Sequence, residues 1–234
     1  MADRSVLITG GTGGLGRAVT AAFAQDGWRV VLPTRGKGPE PVDGPETVDG
    51  VEVVTGIDLT DEAAVSDVTS IAAGNPDAPL GAVINLVGGY SGGPKVHELP
   101  VADFEQQLTV NLRPTFLVTR AALPHLVAAG GGSIVCVGSR AAERPFPGAA
   151  GYITAKAAVT AFAQAVAVEY RGANVRCNVV VPSVIDTPTN RSAMPDADHA
   201  AWVPPGVIAS AILFLAGPGS AATSGAIVPV YGRA

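Results

Sequence analysis

Charged side chains are scarce in this chain, at 15 % of 234 residues against 47 % hydrophobic ones. So few charges cannot coat every helix and strand, and many elements must be covered on both sides. Histidine is rarer still: His97, His125 and His199 lie far apart with no ligand spacing, which argues against a metal site. The only two cysteines, Cys136 and Cys177, each sit in an apolar, strand-like run and read as small core residues in a reducing compartment. No Lys/Arg cluster occurs, and a net charge of −5 with a pI near 5.1 excludes a nucleic-acid backbone as partner. No apolar run reaches the roughly 18 residues of a membrane span. The opening MADRSVLIT passes from charges straight into a short strand, unlike a signal peptide. These absences predict a soluble, cytoplasmic protein without metal, nucleic acid or membrane.

What is present is a regular alternation. Strand-like runs occupy 5–9, 28–32, 51–56, 81–87, 132–138, 175–181 and 226–232, separated by helix patterns at 14–26, 61–73, 101–129, 150–171 and 205–216. Continuous apolar strands between helices predict a parallel sheet covered on both faces, a doubly wound α/β layer of about seven strands. No repeat or linker divides residues 1–234, so one domain is expected. Three segments break the alternation. Residues 36–50 hold four Gly and three Pro and predict a surface excursion. Residues 88–94, GGYSGGP, follow the fourth strand as a loop. Residues 182–205 carry five prolines after the sixth strand and predict a lid over a substrate. In open α/β sheets, ligands bind beyond the carboxyl ends of the strands, where the last two segments fall.

Two motifs carry chemistry. TGGTGGLG, from Thr9 to Gly16, joins the first strand to the first helix. Its glycines permit a tight turn and let backbone N–H groups approach phosphates at a helix N-terminus. No Lys-Ser/Thr follows, so a P-loop kinase or ATPase does not fit. Pro33, Thr34 and Arg35 end the second strand without a carboxylate, so Arg35 is placed to welcome a ribose 2′-phosphate rather than to sit as a solvated surface charge. The second motif is GYITAKAA, 151–158, which sets Tyr152 and Lys156 one helical turn apart among small residues.

In this order and spacing the chain resembles the short-chain dehydrogenase/reductase family over nearly its whole length, and a single Rossmann-like domain is implied. The TGxxxGxG motif appears as Thr9, Gly10, Gly14 and Gly16; Asp58 in GIDLT matches an adenine-contacting Asp. The family's NNAG stretch appears as Asn85-Leu86-Val87-Gly88, with the second Asn and the Ala replaced. Asn111 in VNLRPTF, Ser139 thirteen positions before Tyr152, and Lys156 match its catalytic set. Where the family has Pro-Gly after the sixth strand, this chain has Pro182-Ser183, with Thr187 still in place to touch the nicotinamide carboxamide. The resemblance implies cofactor contacts at Gly10, Thr12, Gly13, Gly14, Leu15 and Gly16, and at Arg35, Asp58 and Leu59. It implies further contacts at Asn85, Val87, Gly88, Tyr152, Lys156, Pro182, Ile185 and Thr187.

The chemistry implied is reversible hydride transfer between NADP(H), or NAD(H) as the less favoured cofactor, and a small ketone or alcohol. Charge left on the carbonyl oxygen needs a proton at the same moment. A free tyrosine titrates near 10 and is a poor partner at neutral pH. The Lys156 ammonium is expected to lower that pKa and to hold the nicotinamide ribose. Ser139 would bond the carbonyl oxygen, and Asn111 would hold a relaying water. Two rival readings remain open. The segment 186–202 with the GGYSGG loop is similar to dihydropteridine reductases, which act on a quinonoid pterin with NADH and without the serine; Ser139, Asn111 and Arg35 point back to carbonyl reduction. A non-catalytic dinucleotide sensor would have no use for the proton relay. Tyr90, Phe146, Met194 and Trp202 are candidates for the pocket mouth. Helices 101–129 and 150–171 are too apolar for a solvated surface, and by resemblance they pack between subunits of a homodimer or homotetramer.

Overall fold

Along β1 (Ser5–Thr9) every residue is buried, and β2 (Arg29–Thr34) is buried over its four central positions. The strands β4 (Leu80–Asn85), β5 (Gly132–Val137) and β6 (Val175–Pro182) are nearly as enclosed. By contrast β3 (Val51–Thr55) and β7 (Ile227–Val230) alternate between partly covered and exposed residues. The difference follows from position, since a central parallel strand has helices on both faces and an edge strand does not. All seven pair in parallel in the order β3-β2-β1-β4-β5-β6-β7. This computed structural model describes residues 2–36 and 49–233. The expected surface excursion, with Lys37 in it, falls largely on 37–48, outside the described residues.

Helices α1 (Gly14–Gln25) and α7 (Pro205–Ala216) cover one face through Val19, Phe23, Ile208, Ile212 and Leu215. The other face is covered by α2 (Glu62–Ala73), α4 (Arg113–Ala128) and α5 (Ala150–Glu169), which pack Val65, Val68, Leu117, Leu126 and Val159 onto the sheet. Each such fully buried aliphatic contributes roughly 1.5–3 kcal/mol. The chain thus forms one doubly wound domain, as the strand pattern predicts.

The expected helix over 101–129 is two helices. The first, α3 (Val101–Asn111), ends one residue before α4 begins, and Leu112 is the junction. Pro114 in the first turn of α4 lacks the N–H that would bond Val110, and its ring crowds that carbonyl, which favours the break at Leu112. The expected lid is not plain loop either. It contains α6 (Pro188–Ala193), a 3₁₀ turn at His199–Ala201, and a β-bridge between Ile185 and Val203. Proline at 188 is compatible with a helix because it occupies the first turn, where an N–H is unsatisfied anyway. Helix α5, with 20 residues and a mean hydropathy of 1.2, is long and apolar enough to cross a membrane by length and composition. Its apolarity has another use here, since Ala155, Val159, Ala163 and Val166 are buried against the sheet.

The sheet order reverses between β1 and β4, whose carboxyl ends therefore open a crevice. The segments after β1, β4, β5 and β6 and the start of α5 line that crevice.

Candidate active site

The crevice begins at the glycine loop. Gly10 holds φ +72°, a left-handed conformation that costs glycine nothing. At Gly16 a Cβ would lie 2.0 Å from the Gly10 carbonyl oxygen, so no larger residue fits the close crossing of loop and helix. The α1 N-cap is Gly13, which offers no side-chain cap, and no acidic residue occupies the first turn. Bare N–H groups at a helix N-terminus suit an anion, and the loop backbone leaves room for a pyrophosphate. A Cβ on Gly14 would meet Thr187 Cγ2 at 2.8 Å, and one on Gly10 would meet the Val87 nitrogen at 3.2 Å. The segments after β1, β4 and β6 therefore touch at one place. These residues fit a dinucleotide.

At the far end, Arg35 and Asp58 pair with each other, Nη2 to Oδ1 at 3.1 Å. The same Oδ1 accepts from the Thr60 N–H and hydroxyl at 2.9 and 2.8 Å. The Thr60 N–H chiefly holds the Asp58 carboxyl below its usual range, with the Thr60 hydroxyl and Arg35 adding to it. Neither residue lines the main cleft, and the Leu59 side chain is buried in the core. Asn85 also turns inward: its Nδ2 donates to Thr119 Oγ1 at 3.1 Å and lies 3.8 Å from Cys136 Sγ. The parts of this stretch that line the cleft are Leu86, Val87 and Gly88.

Tyr152 and Lys156 stand in the first turns of α5. Lys156 is buried, and its Nζ donates to the Val137 carbonyl at 3.0 Å. A Cβ on Gly88 would sit 2.9 Å from that Nζ and 2.6 Å from Asn111 Oδ1, so a larger residue would push one of these side chains aside. Asn111 is fully buried outside the cleft lining. Its Oδ1 accepts from the Gly89 N–H at 3.1 Å, while Nδ2 donates to the carbonyls of Gly89 and Gln107, both at 3.0 Å. Its visible work is to clamp the Gly88-Gly89 loop. Ser139 accepts from the Ala141 N–H at 3.2 Å and lines the cleft together with Tyr152.

The expectation of a lowered tyrosine pKa is not met. Burial raises Tyr152 above its ordinary value, the Ser139 hydroxyl opposes the rise only in part, and Tyr90 adds to it. Lys156 instead falls to about 8, chiefly because its ammonium is out of water. Its proton is directed at Val137 rather than at the phenol, so desolvation dominates both groups.

Together these walls enclose a cleft of about 910 Å³, running from the glycine loop past Val87, Gly88, Ser139, Tyr152 and Lys156 to Pro182, Ile185 and Thr187. Tyr90, Phe146 and Met194 line its mouth, with the Tyr90 ring edge-on to Tyr152 at 5.3 Å. Trp202 does not line it; it is buried, with its ring tilted against His199 at 4.3 Å between centroids. Ser183, in place of the family's glycine, is accommodated by donating from Oγ to the Tyr231 carbonyl at 2.8 Å. Arg140, Arg144 and Asn190 also line the cleft and were not expected. Arg140 adjoins Ser139 in the chain, but its reach into the cleft and that of Arg144 depend on how 139–144 packs near Tyr231, and that of Asn190 on where α6 lies.

The family model described as short chain dehydrogenase matches residues 4–198. The 2-(R)-hydroxypropyl-CoM dehydrogenase of Xanthobacter autotrophicus is 31 % identical, with 98 % of both chains covered. The 3-oxoacyl-[acyl-carrier-protein] reductase MabA of Mycobacterium tuberculosis is also 31 % identical, over 98 % of this chain and 92 % of its own. A solved structure of ElxO with NADP bound superposes with a TM-score of 0.90 at 23 % identity, covering 98 % of both chains; it speaks for the fold. Matched along most of its length and folded as its relatives fold, the chain belongs to the short chain dehydrogenases, a family of oxidoreductases.

Proposed function

We propose that the protein interconverts a small ketone and its alcohol with NADP(H) preferred over NAD(H), through Asn111, Ser139, Tyr152 and Lys156. The observation that carries this reading is that Ser139, Tyr152 and Lys156 line the same cleft into which the glycine loop opens. When bound, the cofactor supplies the hydride to the carbonyl carbon. Ser139 and Tyr152 then receive the carbonyl oxygen, and the phenol gives up its proton as charge develops. A raised Tyr152 pKa keeps that proton in place at neutral pH. Lys156, one turn along, holds positive charge behind the phenol, and Asn111 keeps the loop that covers it in position. Relatives named as a dehydrogenase and as a reductase support redox chemistry of this kind.

Preference for NADPH rests on Arg35, whose exposed guanidinium stands just past β2, paired to the exposed Asp58. In that place it can grip a 2′-phosphate with two charge-assisted bonds. Each such bond contributes about 1.5–3 kcal/mol before desolvation, so half of one gives roughly tenfold discrimination. The lid at 182–205, a cytoplasmic location and assembly as a homodimer or homotetramer belong to the same reading.

Oxidation of NADPH and NADH against a panel of ketones and a quinonoid pterin tests it. Turnover of ketones with kcat/KM at least ~10-fold higher for NADPH is expected. Thr34→Asp with Arg35→Ala should reverse that preference. Equal use of both cofactors by the wild type would remove Arg35 from its role. Turnover of the pterin alone would favour pteridine reduction, and tight NADPH binding without any turnover would favour a sensor.

A further inference from the structure

Two arginines line the cleft directly beside the proton-donating pair. Arg140 follows Ser139 in the chain, and Arg144 lies one turn on, its N–H bonded to the Arg140 carbonyl at 2.8 Å. No carboxylate lines the cleft. Among the described residues, every ion pair within 4.0 Å involves other side chains, so neither guanidinium is neutralised by a salt bridge. The one acidic residue between them, Glu143, accepts the Tyr231 hydroxyl and is not part of the cleft wall. In the lid, Arg191 is taken up by Asp186 at 2.8 Å. Among the described residues, a basic pair without a salt bridge thus lines the cleft whose mouth holds Tyr90, Phe146 and Met194.

Arg140 is also oriented. Its guanidinium lies over the Tyr231 ring, 5.0 Å from the centroid. Stacking uses the face of a guanidinium and leaves its in-plane N–H groups available as a fork. That fork matches a carboxylate, phosphate or sulfonate and has little to offer a hydrocarbon. The cofactor's phosphates have their own places at the glycine loop and Arg35, so the arginines beside Ser139 face the substrate.

Resting on the carbonyl-reduction reading, we infer that the substrate carries an anionic group distal to its carbonyl, received by Arg140 and Arg144. The apolar linker between the two groups passes Tyr90, Phe146 and Met194.

Four probes on one skeleton test this: 4-oxopentanoate, 3-oxobutylphosphonate and 3-oxobutane-1-sulfonate as anions, and methyl 4-oxopentanoate as the neutral control. In the wild type with NADPH, kcat/KM for the best anion should exceed that for the ester by ~30-fold, the scale of one charge-assisted contact. The ranking of the three anions identifies the headgroup. In Arg140→Gln/Arg144→Gln the anion-to-ester ratio should collapse toward one, mainly through KM. If the double variant fails to fold, Arg144→Gln alone, at an exposed position, should lower the ratio severalfold. A second readout needs no turnover: in Tyr152→Phe holding NADPH, the anions should raise the melting temperature, and removing the arginines should abolish the rise. Equal use of ester and anions by the wild type, or a double variant that loses both alike, overturns the proposal while leaving carbonyl reduction standing. Melting shifts without turnover of any probe would instead sink carbonyl reduction and keep the anion site. Neither turnover nor shift would end both.

Discussion

Burial moves Tyr152 and Lys156 in opposite directions, one up and the other down to about 8. For ketone reduction the tyrosine must be protonated and the lysine charged. The rate should therefore hold at neutral pH and fall as pH rises through about 8, approaching tenfold per unit in kcat/KM, a profile that stopped-flow or steady-state assays can trace. Tyr152→Phe should bind NADPH with unchanged Kd by fluorescence titration yet lose ~10²–10⁴ in kcat. The same lysine weighs on stability. Its ordinary value of 10.5 applies to the unfolded chain, so between about 8 and 10.5 the native state binds fewer protons than the unfolded one. Stability from this group therefore rises with pH across that window, and below it the buried charge costs about 3 kcal/mol. Lys156→Met should be more stable than the wild type at pH 7, less whatever the lost Val137 bond contributes. The gap should close near pH 10.5 in urea titrations.

Among the elements, the glycine loop tolerates least. Gly16→Ala would drive a methyl to within 2.0 Å of the Gly10 carbonyl, displacing loop or helix. A loss of ~1–3 kcal/mol in stability and at least tenfold in cofactor affinity is expected, read by thermal melts and NADPH titration. Gly172→Ala, with nothing within 4 Å of the added methyl, serves as the control and should change neither. The segment 182–205 is tied down by the Ile185–Val203 bridge and by Asn190 donating to the Ile185 carbonyl at 2.8 Å. Much of α6 and the turn after it is nevertheless exposed, so the backbone should open locally. Amide exchange across 184–203 should slow when NADPH and substrate bind; unchanged exchange would show that the segment is fixed scaffold.

For the whole molecule, the outer faces of α4 and α5 leave Phe116, Val127 and Val168 at 43, 41 and 65 % exposure. Phe116 and Phe162 meet edge to face at 5.8 Å on that surface. A second apolar face carries Val207 and Phe214 of α7 and Ile227 of β7. Two such faces on one domain fit a dimer or a tetramer, and sedimentation velocity should show one of them. Phe116→Glu should shift the distribution toward smaller species by placing a charge in the first interface. A monomeric wild type at micromolar concentration would sink the idea.

The layer order, the glycine loop and the spacing of Ser139, Tyr152 and Lys156 were legible in the sequence because each depends on neighbours within a turn or a strand. Period, glycine placement and helical pitch act locally, and the chain carries them wherever it folds. The break at Leu112 was legible too, in Pro114, but was outweighed by a long apolar pattern on both sides. What lay beyond reading was set by contacts between distant segments. Asn85 turns to Thr119 because β4 runs beside α4, and Arg35 meets Asp58 because β2 and β3 end together. Residues 139–144 bring two arginines to the mouth only because they pack under Tyr231 at the end of the chain. Above all, the charge state of Tyr152 and Lys156 is a property of burial. Tyrosine and lysine four apart are written in the sequence, but how far each is removed from water is decided by the folded protein.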